Sequence, residues 1–239
     1  AFYALAWERA TSDRHFKVEI TLAKLPSKWF DLLCRRCDRL VEHMDAVKMR
    51  HPEYHCRPVP SFGPRDARLL VVGLAPGMHG ANATGRPFTG DAAGVMLYDA
   101  LHRYGFASKP LSRHLRDRLQ LSDCRITNAV KCLPPANKPV AAEVGNCQGY
   151  LSAELCALPK GGVILVLGGI AHQATIRALG YRLREYPFAH GAEHELPCQR
   201  SLLSSYHCSR YNTQTRRLTK AMFLAVVSRA KEKLGANGR

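Results

Sequence analysis

The stretch that decides the fold is ARLLVVGLAPGMHGANATGRPFTGD, residues 67–91. It begins with a continuous apolar run, which predicts a buried strand of a parallel sheet, because such strands are covered on both faces. A loop rich in glycine follows and ends at Asp91, directly before a helical pattern from Ala92 to about Tyr104. A strand, a long glycine loop and a helix in this order predict a ligand site.

The rest of the chain repeats this alternation of strand and helix. Further apolar runs predict strands at 125–130, within GGVILVLGG and at 201–205. Helical patterns fall at 26–49, 141–158 and 216–235. The alternation predicts an α/β fold, a three-layer α/β/α sandwich with a central, mainly parallel four-stranded sheet. We expect one domain over 26–239, an N-terminal extension of unknown role over 1–25, and a site beyond the carboxyl ends of the strands.

The overall charge of the chain indicates its partner. The 239 residues include 35 Lys and Arg against 19 Asp and Glu, which gives a formal net charge of +16. Such an excess of positive charge favours a negatively charged partner, either a polyanion such as nucleic acid or an anionic membrane surface. No apolar stretch reaches the roughly 20 residues of a membrane span, and the first residues lack the pattern of a signal peptide. We therefore expect a cytoplasmic protein without a membrane partner.

The cysteines indicate a metal centre. Nine cysteines without an export signal favour metal or redox use over disulfides. Cys34 and Cys37 form a C-x2-C pair within the first helical pattern, and Cys132 and Cys147 lie on either side of the Pro-rich loop LPPANKPV, residues 133–140. Four thiolates suffice for a tetrahedral zinc or a [4Fe–4S] cluster, and the residues leave this choice open. The remaining cysteines are expected to be small buried side chains: Cys56, Cys124, Cys156, Cys198 and Cys208.

The glycine loop matches neither a P-loop nor the dinucleotide fingerprint, which argues against a nucleotide phosphate anchor. Gly73, Gly77 and Gly80 would instead let the backbone approach a flat ligand closely. Phe88 is placed to stack on such a ligand. Asp91 at the helix start is expected either to cap the helix or to act on the ligand, and the two roles can coexist.

Three motifs in this order resemble those of the family-5 (type B) uracil-DNA glycosylases: GLAPGMHGANATGRPFTGD, TNAVKCLPPANKP and SYHCSRYNT. The likeness covers about Lys28 to Leu234. Leu74 follows the first glycine, where the related family-4 enzymes carry Glu, and Cys208 replaces the proline of many glycosylases. The resemblance implies a hydrolase of base excision repair, a monofunctional glycosylase that flips uracil out of DNA and leaves an abasic site. It also implies activity on related lesions such as hypoxanthine.

The resemblance further implies roles for individual residues. The implied catalytic residues are Asp91, Asn137 and His207. The implied substrate-binding residues are Gly73, Ala75, Gly77, Phe88, Asn128 and Ser209. The implied DNA-binding residues are Arg210, Tyr211 and Asn212. Cys34, Cys37, Cys132 and Cys147 would bind a [4Fe–4S] cluster. For Asn128 two interpretations stay open, because a strand-end asparagine can read the base edge or bond its own backbone.

Two other classes of function compete with the glycosylase. A non-catalytic nucleic-acid-binding module stapled by zinc would explain the charge and the cysteines, but it gives the glycine loop and His207 no role. A metal-dependent nuclease would need clustered carboxylates, and these loops offer mainly Asp91. We expect double- and single-stranded DNA with uracil or related lesions as the partner. We also expect a monomer associated with a bacterial or archaeal nucleoid.

Overall fold

The computed structural model describes residues 30–236, and a mixed sheet forms its centre. Its strands are β1 (Leu69–Gly73), β2 (Cys124–Asn128), β3 (Val163–Leu167), β4 (Glu193–Leu196) and β5 (Arg200–Ser205). They lie in the order β2-β1-β3-β5-β4. The first four strands of this order run parallel, and β4 is antiparallel to β5. Every residue of β1 and β3 is buried, as their unbroken apolar sequences predict.

The sequence predicted four strands, and β4 is the fifth. Its segment, EHEL, buries only Leu196 and carries two glutamates. Such a polar edge strand has little of the apolar pattern by which buried strands are recognised. The backbone of β5 holds it in place, with Glu193 opposite Leu203 and Leu196 opposite Arg200.

Helices cover both faces of the sheet, which confirms the three-layer α/β/α prediction. They are α1 (Asp38–Arg50), α2 (Ala81–Thr84), α3 (Ala92–Arg103), α4 (Ala141–Ala157), α5 (Gly169–Ala178), α6 (Arg210–Gln214) and α7 (Lys220–Ala236). Helices α3 and α7 pack with one set of alternate strand residues, and α4 and α5 with the other. Alternation along a strand divides its side chains between the two cores. Helix α1 belongs to a third, smaller core with Cys132 and Cys147.

Several predicted boundaries were wrong. Helix α1 begins at Asp38 rather than near 26, so Cys34 precedes the helix and Cys37 is its N-cap residue. At Asp31 the side chain accepts a hydrogen bond from the Leu33 amide at 2.9 Å, a local turn that competes with helix. The predicted second strand ends at Asn128, four residues before Cys132. The glycine loop contains the short helix α2, and α6 replaces part of the loop expected directly after Ser205.

The remaining cysteines divide into buried and accessible ones. Cys56, Cys124 and Cys208 are buried as predicted. Cys156 is exposed, so the prediction for it was wrong, and Cys198 is half-buried in the β4–β5 connection. Among residues 30–236, no helix has the length and apolarity needed to cross a bilayer. The predicted extension 1–25 lies outside the described residues.

Candidate functional site

The carboxyl ends of the parallel strands bring the three motifs together. Strand β1 ends at Gly73 and enters the glycine loop, β2 ends at Asn128, and β5 ends two residues before His207. Parallel neighbours end at the same edge of a sheet, where ligands bind in such folds. We call the group of Gly73, Phe88, Asp91, Asn128 and His207 the carboxyl-edge pocket.

Phe88 lies at the centre of this pocket. A β-carbon on Gly73 would lie 2.6 Å from Phe88 Cζ and 2.4 Å from Asn128 Oδ1, so the bare backbone of Gly73 makes room for both side chains. Phe88 itself has a φ of +53°, a left-handed conformation that costs free energy in a residue other than glycine. Its ring stacks on that of His207, with centroids 6.0 Å apart and planes inclined by 29°. The pocket therefore has a preformed aromatic wall.

Asn128 turns its amide towards this wall rather than onto its own backbone. The residue is only 3% exposed, and its Oδ1 has no hydrogen-bond partner among residues 30–236. An unpartnered buried acceptor is unfavourable unless a ligand or water supplies the donor. Of the two interpretations given above, the geometry favours the one in which Asn128 bonds to a ligand.

Asp91 has two carboxylate oxygens in different surroundings. Oδ1 accepts a hydrogen bond from the Gly94 amide at 2.8 Å and so caps α3, because Asp91 is its N-cap residue. Oδ2 points to the glycine loop, 3.4 Å from where a β-carbon on Gly77 would lie and 2.3 Å from one on Gly80. The helix cap uses one oxygen, and the other is left to act on a ligand.

His207 is positioned by the residues that follow it. Its carbonyl oxygen accepts a hydrogen bond of 2.8 Å from the Asn212 side-chain amide, and Ser209 caps α6 by accepting one from the Asn212 backbone amide. The next thiol, Cys208, is fully buried and donates to the Ala93 carbonyl oxygen at 3.4 Å, which ties the segment to α3. Burial lowers the pKa of His207, and the charge of Asp91 partly opposes that effect. The imidazole is therefore neutral at pH 7.

Two further predicted site residues, Asn137 and Ala75, have other surroundings. Asn137 is exposed in a turn where it and Ala136 both have left-handed backbone angles, and its backbone amide donates to the Pro134 carbonyl oxygen at 3.1 Å. Its catalytic role stays a prediction. Ala75 packs against the third core.

The edge around the pocket exposes basic and apolar side chains. Arg210 is exposed and has no ion-pair partner in the described part of the chain, and Tyr211 is 71% exposed. Large apolar residues are also exposed in the first turns of α3 and α5, namely Val95 and Ile170. A rim of this kind suits a partner with both charged and apolar surfaces.

The four predicted metal ligands converge, although they come from three segments. Cys132 and Cys147 lie in the third core with Cys37 packed against it, and Cys34 lies close enough to influence the pKa of Cys132. Burial raises the pKa of the Cys132 thiol, and charge on the other three would raise it further. No set of three or more His, Cys, Asp or Glu side chains in residues 30–236 is arranged to hold a metal ion as it stands. The chemistry of the donors, four thiols within one region, nevertheless fits a metal that prefers sulfur.

Contacts between α1 and α4 hold the segments of these cysteines together. Arg39 donates two hydrogen bonds of 2.8 Å to the buried carboxylate of Glu143. The side-chain amide of Asn146 donates to Cys37 Sγ at 3.3 Å and to the Arg36 carbonyl oxygen at 3.3 Å. Cys37 is thereby fixed close to Cys147, the neighbour of Asn146.

Sequence reasoning missed one residue next to the pocket, the buried Arg86. It is 4% exposed and forms an ion pair of 2.8 Å with Asp117. Its place in GRPF, two residues before Phe88, gave no sign of burial, because arginine is ordinarily a surface residue.

Comparison with known proteins agrees with the motifs. A family model described as the uracil DNA glycosylase superfamily matches residues 60–231. A type-5 uracil-DNA glycosylase of Thermus thermophilus is 48% identical over 207 residues, 84% of this chain and 94% of that protein. The type-5 enzyme of Mycobacterium leprae is 43% identical, over 85% of this chain and 92% of its own. That of Pyrobaculum aerophilum is 40% identical, over 89% and 97%.

Proposed function

Because this chain belongs to the uracil DNA glycosylase superfamily, we propose that its carboxyl-edge pocket receives a uracil flipped out of DNA. The protein is a hydrolytic DNA N-glycosylase that removes uracil in base excision repair. The base is hidden in the stack, so it must leave the duplex before any side chain reaches the C1′–N bond. Roles for the individual pocket residues follow from their positions.

The flipped base would be held by Phe88 and Asn128. The aromatic ring offers a face on which the base stacks, and such stacking stabilises a flipped base by roughly 1–3 kcal/mol. The buried amide of Asn128 would bond to the polar edge of the base, which supplies the partner that Oδ1 lacks. Together they place the sugar carbon C1′ towards the glycine loop.

Asp91 would act on the water and the sugar. As the bond breaks, the base departs with the bonding electrons and the sugar becomes cationic. The carboxylate faces this cation through Oδ2, orients the attacking water and accepts its proton. One observation supports this assignment above all: Asp91 Oδ1 caps α3, whereas Oδ2 has no hydrogen-bond partner among residues 30–236.

His207 would stabilise the departing base. A neutral imidazole can donate one N–H to the base oxygen that gains negative charge, and a donor fixed before the reaction needs no reorganisation. The hydrogen bond from Asn212 to the His207 carbonyl supports this fixed orientation. Asn137 remains a predicted third catalytic residue, and Arg210 and Tyr211 remain predicted contacts to DNA.

A [4Fe–4S] cluster on Cys34, Cys37, Cys132 and Cys147 completes the proposal. Bound there, it would crosslink segments that are distant along the chain and would take no part in the hydrolysis. Burial of Cys132 and Cys147 and the hydrogen bond from Asn146 to Cys37 support a site shielded from solvent.

We further propose that the substrates include hypoxanthine and related lesions in double- and single-stranded DNA. Gly77 has no side chain that could exclude bulkier bases. We propose that the enzyme acts as a monomer associated with the nucleoid, where its substrate lies. Excision measured on a panel of single-lesion duplexes tests the substrate range, and confinement to uracil alone would contradict it.

Single-turnover excision of uracil by the Asp91→Ala variant tests the catalytic assignment. We expect a loss of about 10²–10⁴-fold in rate, with nearly unchanged affinity for DNA, because the carboxylate acts mainly in the transition state. The matched control is Asp66→Ala, since Asp66 is an exposed carboxylate before the opposite end of β1. Equal rates for the two variants would reduce Asp91 to a helix cap.

A further inference from the structure

A second loop is attached to the glycine loop by a buried arginine. Residues 109–118, the basic loop, lie between α3 and β2. Arg86 donates hydrogen bonds to the Leu115 carbonyl oxygen and Asp117 Oδ1, both at 2.8 Å, and to Ser112 Oγ at 2.9 Å. An arginine that is 4% exposed and bonded to three points fixes the conformation of the loop.

Asp117 makes the basic loop rigid from within. Its carboxylate accepts backbone hydrogen bonds from Arg113 at 2.9 Å, His114 at 3.3 Å and Leu119 at 3.0 Å. The ends of the loop are closed by the bond from the Ser108 amide to the Gln120 carbonyl oxygen at 2.9 Å. A loop held in this way can bind without losing much conformational entropy.

The basic loop also contacts the segment that connects Phe88 with Asp91. The hydroxyls of Thr89 and Ser112 lie 2.7 Å apart in a buried hydrogen bond, and the Gly90 amide donates to the Ser112 carbonyl oxygen at 3.4 Å. The loop therefore borders the carboxyl-edge pocket on the side of its catalytic carboxylate.

The outer surface of the basic loop carries charge without counter-ions. Arg113, Arg116 and Arg118 are exposed, and none forms an ion pair within the described residues. Between them Leu115 is 56% exposed, although it is large and apolar. The three unpaired guanidinium groups are suited to bind DNA phosphates, and the exposed leucine is suited to pack against the faces of bases.

We propose that the basic loop is a second DNA-binding element, which binds phosphates next to the flipped nucleotide through Arg113, Arg116 and Arg118 and packs Leu115 against the neighbouring bases. Leu115 would stabilise the stacked bases of the duplex next to the flipped nucleotide. It belongs to a different chain segment from Tyr211, the DNA contact predicted in α6. Because Arg86 joins the two loops, the phosphate contacts of the basic loop would help to fix the part of the glycine loop that carries Phe88. The inference rests on the proposed function, because the flipped base is what the loop borders.

The charge of the loop is tested by a triple variant, Arg113→Gln, Arg116→Gln and Arg118→Gln. Because each lost phosphate contact flattens the salt dependence of binding, the slope of log Kd against log salt should become shallower by about 2 to 3 units. The matched control removes three exposed charges outside the basic loop, through Lys160→Gln, Arg182→Gln and Arg184→Gln. Lys160 precedes the amino end of β3, and the two arginines follow α5 as it leaves the carboxyl edge. Equal slopes for the two triple variants would overturn the proposal.

Leu115 is tested separately by Leu115→Ala, assayed on duplex and single-stranded DNA with the same uracil sequence. Because only the duplex has a stack to support, we expect roughly a tenfold loss of single-turnover rate on the duplex and less than a twofold loss on the single strand. Equal losses on both substrates would refute the packing of Leu115 against bases. If the wild-type protein excised uracil from neither substrate, the proposed function would fail, whereas normal wild-type excision with unchanged variants would overturn this inference alone.

Discussion

Replacing Gly80 by alanine tests whether the position of the Asp91 carboxylate limits excision. The new β-carbon would lie 2.3 Å from Asp91 Oδ2, 2.8 Å from Cγ and 3.0 Å from Cβ. Ordinary contact begins at 3.4 Å, so the carboxylate must move by about 1 Å. A catalytic group displaced by that distance can cost about 10²-fold in rate. We expect a loss of this size in single-turnover excision of uracil, with little change in DNA affinity.

The neighbouring glycines provide the controls. A β-carbon on Gly77 would lie 3.4 Å from the same Oδ2, an ordinary contact, so Gly77→Ala should leave the Asp91 carboxylate in place. Gly145 lies within α4, where an added β-carbon meets nothing within 4 Å, and Gly145→Ala should raise stability by about 0.5–1 kcal/mol. Thermal unfolding of all three variants separates misplacement from misfolding. If folded Gly80→Ala protein excised uracil as fast as Gly145→Ala, the position of Asp91 would not limit the reaction.

Three further predictions concern the cysteines, the buried arginine and pH. Cys132→Ser should lose bound iron, visible absorbance and thermal stability, whereas Cys198→Ser should keep all three; equal iron contents in the variants would contradict the ligand assignment. Arg86→Ala should destabilise the protein by about 3–5 kcal/mol in urea unfolding, because it leaves the Asp117 charge buried without its partner; a loss below about 1 kcal/mol would refute this. His172 donates a hydrogen bond to the Tyr186 carbonyl oxygen at 2.8 Å, and burial lowers the pKa of its imidazole. Because the pKa of this histidine is higher in the unfolded protein, the unfolded protein binds more protons. The free energy of unfolding should therefore fall as pH drops below about 6.5, and the fall should be smaller in His172→Gln; identical pH profiles would exclude this histidine.

The sequence predicts those parts of the fold and site that depend on local patterns. The unbroken apolar runs of β1 and β3 could be recognised because both faces of these strands are covered. The sequence also indicates that Asp91, at a helix start, and Asn128, at a strand end, lie close together, because parallel strands bring their carboxyl ends to one edge.

Other features depend on contacts that no local pattern encodes. Helical periodicity continues through Cys34, although the structure has a turn at Asp31 and helix α1 begins only at Asp38. The motif around Asn137 predicts a catalytic residue, but no local pattern indicates the left-handed backbone angles and the exposure that the structure gives it. The burial of Arg86 follows from a partner 31 positions further along the chain, Asp117, which periodicity cannot reveal.

The pocket and the proposed cluster share one segment of backbone. Asn128, whose amide faces Phe88, lies four residues before Cys132. Between them, the Ala129 amide donates to the Gly73 carbonyl oxygen and the Val130 amide to that of Leu74, both at 2.9 Å. Short hydrogen-bonded backbone of this kind transmits a displacement at one end to the other. A crosslink at Cys132 would therefore hold Asn128 and the start of the glycine loop in register. In this way a cluster that takes no part in the hydrolysis would still stabilise the geometry of the base-binding site.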